Sequence, residues 1–390
     1  MNTHVNTRTI AVVSGSRADY GIVQPILRQI DDDPDLALQL IVTGMHLSHE
    51  FGHTVDAIEG DGFRIDHRLE TLLSSDTPNG TAKSVGLGVL SFSELWTSAA
   101  PDVLLLAGDR FEILSAAVAS LPFNIPIAHV HGGEVTQGAI DEAIRHSISK
   151  MSHLHFTSTR AYAARLVRMG EHPERVHCTG APGLDALLAA RRWTGDEFRA
   201  RTGTQLAPGT LLVTFHPTTR DPGASIRDFQ ALLTALEEVR RPLLFTYPNA
   251  DAGGRKLIEM LEAFARDFPN VEVVRNLGTA GYRTLLETVD AMVGNSSSGI
   301  IEAASFELPV VNVGSRQSGR VRAANVIDVE GNSDAITRAI LRATSTDFRT
   351  GLAGLENPYG VGRAAPQIVG HLKDVSPCPR WLSKGFYDAA

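Results

Sequence analysis

The sequence predicts an α/β protein that contains two doubly wound domains. Short apolar runs of strand length alternate along the 390 residues with longer stretches in which apolar residues recur at helical spacing. Such alternation is typical of parallel sheets that are covered by helices on both faces. The alternation pauses once, over the polar stretch 190–209 with its Gly and Pro residues, and then starts again. We therefore expect two domains joined by a hinge near 190–208.

The predicted strands fall into two groups along the chain. The first group comprises the apolar runs 9–15, 38–44, 101–109, 125–131, 153–159 and 175–180. The second group comprises the runs 210–217, 242–249, 271–276, 290–295 and 309–314. On this division the N-terminal domain covers 1–190, the C-terminal domain covers 208–362, and a helix and tail cover 363–390. One large sheet is the alternative, but chains of this length usually divide into domains.

Composition excludes several classes of protein. A net charge of −8, from 44 acidic and 36 basic residues, argues against a nucleic-acid partner, whose phosphates require a basic face. No apolar run approaches the ~20 residues that span a bilayer, so we expect no membrane partner. The first residues have no signal-peptide pattern, and we expect a cytoplasmic protein. The two cysteines, Cys178 and Cys378, offer neither a disulfide framework nor metal-ligand spacing.

Polar clusters follow many of the predicted strands. In open α/β sheets ligands bind beyond the carboxyl ends of the strands, where loops lead into helices. If the carboxyl edges of the two sheets face each other, all of these clusters meet in one cleft. The clusters are Ser14–Tyr20, Gly108–Arg110, His129–Glu134, His216–Pro217, Asn249–Asp251 and Asn295–Ser298.

The serine run after the strand at 290–295 predicts a phosphate site. A helix N-terminus exposes unpaired N–H groups and partial positive charge, and Ser296 and Ser297 can donate to a diphosphate. Glu302 follows a turn later, where it can reach the hydroxyl pair of a ribose. The alternative is a serine-capped helix with Glu302 in solvent. Arg17, Arg110 and Arg316 are further candidates for phosphate binding.

Carboxylates in the first half predict proton transfer. Asp109 ends an apolar run, and desolvation there can raise its pKa and suit it to acid–base work. Its alternative role is an N-cap. Glu134 and Asp141 occupy the next loop and helix start, where Asp141 could be only a first-turn acid. The pairs His129/His131 and His153/His155 lack a carboxylate at ligand spacing, so we expect no metal.

Motifs along the chain resemble one enzyme family over about residues 9–365. The motifs are SRADYG, GDRFE, HGGE, IDEAIRHSISKMSHLHF, FHP, YPNADAGGR, GNSSSGIIEA and SRQSGR. They resemble the hydrolysing UDP-N-acetylglucosamine 2-epimerases of sialic-acid synthesis and their bacterial relatives. Non-hydrolysing relatives typically carry Gly-Asp-Thr where this chain has Gly-Asp-Arg, and His-Val-Glu-Ala-Gly where it has HVHGG. Both differences favour hydrolysis.

The resemblance implies a fold and a set of roles. The implied fold is the glycosyltransferase-B type, with the substrate between two Rossmann-like domains. Arg17, Arg110, Ser296, Ser297 and Arg316 would hold the diphosphate, Glu302 the ribose, and Asn249 and Asp251 would lie near the nucleotide. Asp109, Asp141 and His216 match positions tied to catalysis. His131 stands where many members have a catalytic Glu, so either Glu134 takes over that work or His131 does it as an imidazole.

The resemblance also implies an activity without a cofactor. UDP-N-acetylglucosamine would eliminate UDP to give a 2-acetamidoglycal, and water would then add to give free N-acetylmannosamine. The same reaction on UDP-N,N'-diacetylbacillosamine, for legionaminic acid, is the first alternative. A UDP-sugar glycosyltransferase and a nucleotide-sugar sensor are alternatives of other classes. The family suggests a homodimer or homotetramer.

Overall fold

The computed structural model describes residues 7–73, 77–136, 140–217, 222–247, 254–274, 277–375 and 378–388. The described residues divide into two compact units. Unit 1 lies within Met1–Glu134, Ile140–Ala186 and Gly362–Ala390, and unit 2 lies within Val135–Ala139 and Leu187–Val361. The C-terminal segment, which we expected as a separate helix and tail, groups with unit 1.

Unit 1 is built on a seven-stranded parallel sheet in the order β3-β2-β1-β4-β5-β6-β7. The order reverses between β1 and β4, which is where open sheets of this kind bind ligands. The strands are β1 (Arg8–Ser14), β2 (Leu36–Thr43), β3 (His67–Leu69), β4 (Val103–Ala107), β5 (Ile127–Val130), β6 (Leu154–Thr157) and β7 (Val176–Cys178). The helices along this part of the chain are α1 (Arg17–Asp31), α2 (Val55–Gly60), α3 (Pro78–Ala99), α4 (Phe111–Ser120), α5 (Asp141–Met151), α6 (Arg160–Arg168) and α7 (Gly183–Ala189).

Unit 2 repeats the design with six parallel strands in the order β10-β9-β8-β11-β12-β13. Its order reverses between β8 and β11. The strands are β8 (Leu211–Thr214), β9 (Leu243–Thr246), β10 (Val271–Val274), β11 (Ala291–Gly294), β12 (Val310–Val313) and β13 (Val326–Val329). The helices are α8 (Gly195–Thr202), α9 (Pro222–Val239), α10 (Gly254–Asp267), α11 (Gly278–Thr288), α12 (Ser297–Ile301), α13 (Ser333–Ala343) and α14 (Thr346–Thr350).

Buried apolar side chains cover both faces of each sheet. In unit 1 one cluster includes Ile10, Val12 and Ile26, and another includes Val13 and Trp96. Alternate residues of β1 thus enter opposite clusters, as the period of two along a strand requires. Unit 2 has the same pair of clusters. The predicted α/β class with two doubly wound domains is confirmed.

Two features differ from the sequence prediction. The stretch 190–209, expected as a hinge, contains helix α8. At its start the side chains of Thr194 and Glu197 each accept the backbone N–H of the other residue, which is a capping box. Phe198 of this helix is buried in a core cluster of unit 2. Strands β3 and β13 were not predicted because they are only partly buried and lack a continuous apolar run.

The chain ends with helices α15 (Ala364–Leu372) and α16 (Pro379–Leu382). The apolar face of α15 enters the same core cluster as the buried residues of α1. The Asp185 carboxylate accepts the first backbone N–H groups of α15, from Ala364 at 3.0 Å and Ala365 at 2.7 Å.

Among the described residues, none of the helices combines the length and the apolar character that crossing a bilayer requires.

We predict that Asp185→Ala destabilises unit 1 by about 1–2 kcal/mol, because two N–H groups at the start of α15 lose their acceptor. Urea unfolding followed by circular dichroism measures the effect. Asp347→Ala is the matched control, since Asp347 is an exposed first-turn acid of α14. Equal stability changes for the two variants would contradict the capping role.

Candidate active site

The switch point of unit 1 brings two buried acids to one arginine. Asp19 lies in the first turn of α1, Arg110 directly precedes α4, and Glu112 lies in its first turn. Arg110 donates to both carboxylate oxygens of Glu112, at 3.2 and 3.1 Å, and its Nε lies 3.9 Å from Oδ2 of Asp19. Ser16 donates to the same Asp19 oxygen at 2.9 Å. The relative exposures of Asp19 and Glu112 are 3% and 2%.

Burial shifts the protonation of this cluster. Loss of solvation raises the pKa of Asp19 to about 7; the Arg110 charge opposes this rise and the Glu112 charge adds to it. The acids in turn raise the pKa of Arg110 above its usual range, although burial opposes its charge. In the SRADYG motif the sequence predicted a role for Arg17, whereas Asp19 was not predicted. In the structure the Arg17 side chain is exposed.

Glycines allow the backbone to approach these acids closely. A Cβ on Gly44, which has φ +60°, would lie 2.7 Å from Oε1 of Glu112. A Cβ on Gly15 would lie 3.2 Å from Cβ of Glu112. Larger residues at these positions would therefore displace Glu112 from its pairing with Arg110.

Helix α5 presents charged groups to the loop that follows β4. Arg145, which is almost fully buried, forms an ion pair with the Asp109 carboxylate and a second one with Glu142 at 3.4 Å. Asp141 is the first residue of α5, and its negative charge contributes to the raised pKa of Arg110. The structure therefore places Asp109, Asp141 and Arg110 in one charged cluster. Sequence reasoning missed Arg145, although it lies within the IDEAIRHSISK motif.

A histidine–carboxylate pair lies in the loop after β5. Nδ1 of His131 lies 2.6 Å from Oε1 of Glu134, and Ser158 donates to the same oxygen at 2.6 Å. All three side chains are buried. His131 and Gly133 both have positive φ, +66° and +75°, so the chain turns sharply enough for Glu134 to reach back to the imidazole. With Glu134 as a carboxylate, Nδ1 donates its proton to Oε1, and in the neutral ring Nε2 is then the hydrogen-bond acceptor.

The other histidines of these strands bind protein groups. His129 is buried, and burial lowers its pKa to about 3, so the ring is neutral. Its Nε2 donates to the Gly108 carbonyl at 2.7 Å, and its Nδ1 accepts from Ser149 at 3.1 Å. His155 binds Glu171 through Nε2 at 2.9 Å, and Nδ1 of His153 accepts the N–H of Ile127.

At the switch point of unit 2, an amide joins the loops after β8 and β11. Asn295 accepts the backbone N–H of His216 at 2.7 Å and donates to its carbonyl at 2.8 Å. Gly294 has φ +137°, and a Cβ there would lie 2.0 Å from the Thr214 carbonyl oxygen, so only glycine fits. Burial, and then the Arg316 charge, lower the pKa of His216 to about 3.

The serine run begins a helix of five residues. Ser296 is its N-cap and accepts the N–H of Ser298 at 3.3 Å, while Ser297 is its first residue. Arg316 lies beside the run and donates to the Asn295 carbonyl at 3.1 Å, as does Gln317 at 2.9 Å. The structure thus brings Arg316 beside the loop that carries Ser296 and Ser297.

Glu302 is half-buried and pairs with a protein hydroxyl, whereas the alternative prediction placed it in solvent. Its Oε2 accepts from the Ser298 hydroxyl at 2.5 Å, and the same hydroxyl contacts Tyr282. Loss of solvation raises the pKa of Glu302, against the effect of that hydrogen bond. Ser298 and Tyr282 were not predicted. Asn249 and Asp251 lie outside the described residues.

Comparison with known proteins identifies the family. The sequence profile described as UDP-N-acetylglucosamine 2-epimerase matches residues 28–373. The chain is 39% identical to the UDP-N,N'-diacetylbacillosamine 2-epimerase (hydrolyzing) of Legionella pneumophila, over 97% of this chain and 98% of that one. It is 37% identical to the GDP/UDP-N,N'-diacetylbacillosamine 2-epimerase (hydrolyzing) of Campylobacter jejuni, over 88% of this chain and 90% of that one.

The fold is also found among solved structures. The UDP-GlcNAc 2-epimerase of Neisseria meningitidis, solved with UDP-GlcNAc bound, superposes with a TM-score of 0.78 over 94% of this chain and 100% of that one. The sequence identity is 19%, so this likeness concerns the two-domain Rossmann-type fold alone. The chain therefore belongs to the hydrolysing UDP-N-acetylglucosamine 2-epimerase family and is an enzyme of the UDP-sugar 2-epimerase type.

Proposed function

We propose that the protein hydrolyses UDP-N,N'-diacetylbacillosamine to UDP and the free 2-epimer of the diacetamido sugar. The acid–base groups of unit 1, after β4 and β5 and at the start of α5, carry the proposal that a proton is moved. The names of the Legionella and Campylobacter relatives support the substrate. From the sequence alone, UDP-N-acetylglucosamine is the first expectation for the substrate. The two sugars differ at C4 and C6, and the names of the relatives favour the diacetamido sugar.

The chemistry requires the leaving group to depart early. The hydrogen on C2 is only weakly acidic, but loss of UDP gives C1 oxocarbenium character and makes that hydrogen far easier to remove. The C1–O bond breaks with its electron pair on UDP, and a carboxylate takes the C2 proton to leave a C1=C2 double bond. Water then adds, with hydroxide on C1 and a proton on C2. Fixed positive groups near the developing negative charge are usually the largest catalytic contribution.

Inversion at C2 requires two groups, because the proton leaves one face of the ring and a proton returns on the other. Asp109 or Asp141 removes the first proton, which passes to solvent. His131 does the second transfer: its imidazolium gives a proton to C2, and Nε2 then takes a proton from the water that adds to C1. Glu134 is the positioning residue, since it holds Nδ1 at 2.6 Å and stabilises the imidazolium.

The nucleotide is assigned to unit 2. Arg316 and the loop with Ser296 and Ser297 bind the diphosphate, supported by the shared anchoring on Asn295. Glu302 binds the ribose. Its Oε2 is taken by Ser298, whereas Oε1 has no hydrogen-bond partner among the described residues and can accept a ribose hydroxyl. His216, with its lowered pKa, acts as a neutral imidazole beside these groups.

Incubation with each nucleotide sugar alone, in deuterated water, tests the function. We expect UDP in equal amount with a free 2-epimerised sugar that carries one deuterium at C2, and a higher kcat/KM for the diacetamido substrate. A requirement for an acceptor would make the protein a glycosyltransferase. Product without deuterium at C2 would exclude elimination.

Substitution separates the two candidate groups after β5. We expect His131→Gln to lower kcat by about 10²–10⁴-fold, the range for loss of a general acid–base group, while UDP affinity is kept. Glu134→Gln keeps a hydrogen-bond partner for the ring and should lower kcat less. Ser158→Ala is the control for disturbance of the loop. A larger loss for Glu134→Gln than for His131→Gln would assign the proton transfer to Glu134.

The acid pair at Arg110 predicts a pH dependence of stability. Because the pKa of Asp19 rises from 3.8 to about 7 on folding, the folded state keeps a proton that the unfolded state loses in this window. The free energy of unfolding therefore falls as pH rises from about 4 to 7. Asp19→Asn removes this pH dependence. The free energy of unfolding of the variant should therefore increase relative to that of the wild type as pH rises, by up to about 4 kcal/mol at pH 8.

Urea unfolding of the wild type and Asp19→Asn at pH 5, 6, 7 and 8 measures the trend. Asp32→Asn, which neutralises an exposed acid at the end of α1, is the control and should show no such trend. A stability difference for Asp19→Asn that stays constant across this range would show that Asp19 is ionised throughout.

A further inference from the structure

The C-terminal tail of unit 1 lies against the end of α5 that is remote from Asp109. Arg175 holds the tail by donating to the carbonyls of Arg380 at 2.7 Å and Ser383 at 3.1 Å. The N–H of Tyr387 donates to the Gly170 carbonyl at 2.9 Å. These bonds fix the backbone on both sides of Lys384.

Lys384 inserts its ammonium into the C-terminal end of α5. Its Nζ donates to the carbonyls of Ser152 at 2.5 Å, Lys150 at 2.7 Å and Ser149 at 3.2 Å. The last carbonyls of a helix have no partner within the helix and carry partial negative charge, so a cation there is favourable. The side chain of Lys384 is only 16% exposed, which makes this an enclosed contact and not a surface one.

A buried carboxylate balances the ammonium. Glu171 lies 2.7 Å from Nζ of Lys384 and also binds Lys150 and His155. Although burial opposes its charge, His155 and the two lysines lower the pKa of Glu171 to about 2. The ion pair therefore holds the tail to α5 and to β6 together.

Helix α5 also holds the loop that carries Asp109. Arg145 of α5 pairs with the Asp109 carboxylate. Ser149, whose carbonyl Lys384 binds, also donates its hydroxyl to His129, and His129 donates to the carbonyl of Gly108. Two separate connections thus run from α5 to residues 108 and 109.

We propose that Lys384 is a positioning residue for the acid–base site: by anchoring the C-terminal end of α5, it fixes the placement of Asp109 through Arg145 and His129. This inference rests on the proposed function, because it takes Asp109, one of the two acids named there, as the group that removes the C2 proton. It gives the C-terminal tail a part in turnover, and none in nucleotide binding, which is assigned to unit 2.

Lys384→Met tests the proposal, with Lys373→Met as the matched control. Lys373 lies in the same C-terminal segment and pairs with Asp33 at 2.6 Å and Asp35 at 3.2 Å. The control substitution therefore removes the same charge without changing a contact to α5. Displacement of a reacting group by ~1 Å can cost up to ~100-fold in rate, and we expect kcat to fall about tenfold for Lys384→Met. KM and the affinity for UDP should stay unchanged, and the control should keep wild-type kcat.

A double-mutant cycle with Ser149→Ala distinguishes positioning from general loss of stability. If Lys384 acts through α5, its effect on kcat and that of Ser149→Ala are non-additive; additive effects, or an unchanged kcat for Lys384→Met, would overturn the proposal. Lys384→Gln, which keeps a donor for the carbonyls, replaces Lys384→Met if the latter does not fold, and is judged by the same criteria.

Hydrogen exchange gives a measurement that does not need turnover. We expect faster exchange in peptides covering 141–151 for Lys384→Met and not for Lys373→Met. Unchanged exchange in Lys384→Met would overturn the anchoring even if the wild type turns over neither sugar. Absence of wild-type turnover together with faster exchange would contradict the proposed function and leave the anchoring supported.

Discussion

The placement of charge within unit 1 depends on a single constraint: an acid removed from water needs a cation or a hydrogen-bond donor beside it. Unit 1 contains several such acids. Glu112 is matched by Arg110, Asp109 by Arg145, and Glu171 by Lys150 and Lys384. The matches of Asp109 and Glu171 join different helices or loops, so the pairing of charges also fixes the backbone that displays the candidate catalytic groups.

Compared with these acids, Asp19 has a negative charge that is less well compensated by a nearby cation. Arg110 approaches it only to 3.9 Å and already donates twice to Glu112. Its raised pKa follows from that shortage of compensation. Perturbed acids of this kind cluster at functional sites, and Asp19 lies at the point where the strand order of unit 1 reverses.

Several parts of the fold and of the candidate site could be predicted from the sequence. The alternation of apolar runs indicated both doubly wound domains, and motif order indicated the family. The predicted Asp109, Arg110 and Asp141 do lie together in unit 1, and Ser296, Ser297 and Arg316 lie together in unit 2. Missed were residues whose role depends on a partner distant in sequence, such as Arg145 and Tyr282. Helix α8 is a different case, since its Thr-x-x-Glu capping signal was present in the sequence and was overlooked.

By itself the sequence determined the period of burial, the strand ends at which polar groups appear and the residue types available there, because these depend only on neighbours along the chain. Only the tertiary structure decided which groups pair with the candidate site residues. Which hydroxyl meets Glu134, and which cation meets Asp109, follow from contacts between segments 24 and 36 residues apart in the chain. Local sequence pattern carries no information on such contacts, whereas the packing of α5 against the sheet and its loops sets them directly.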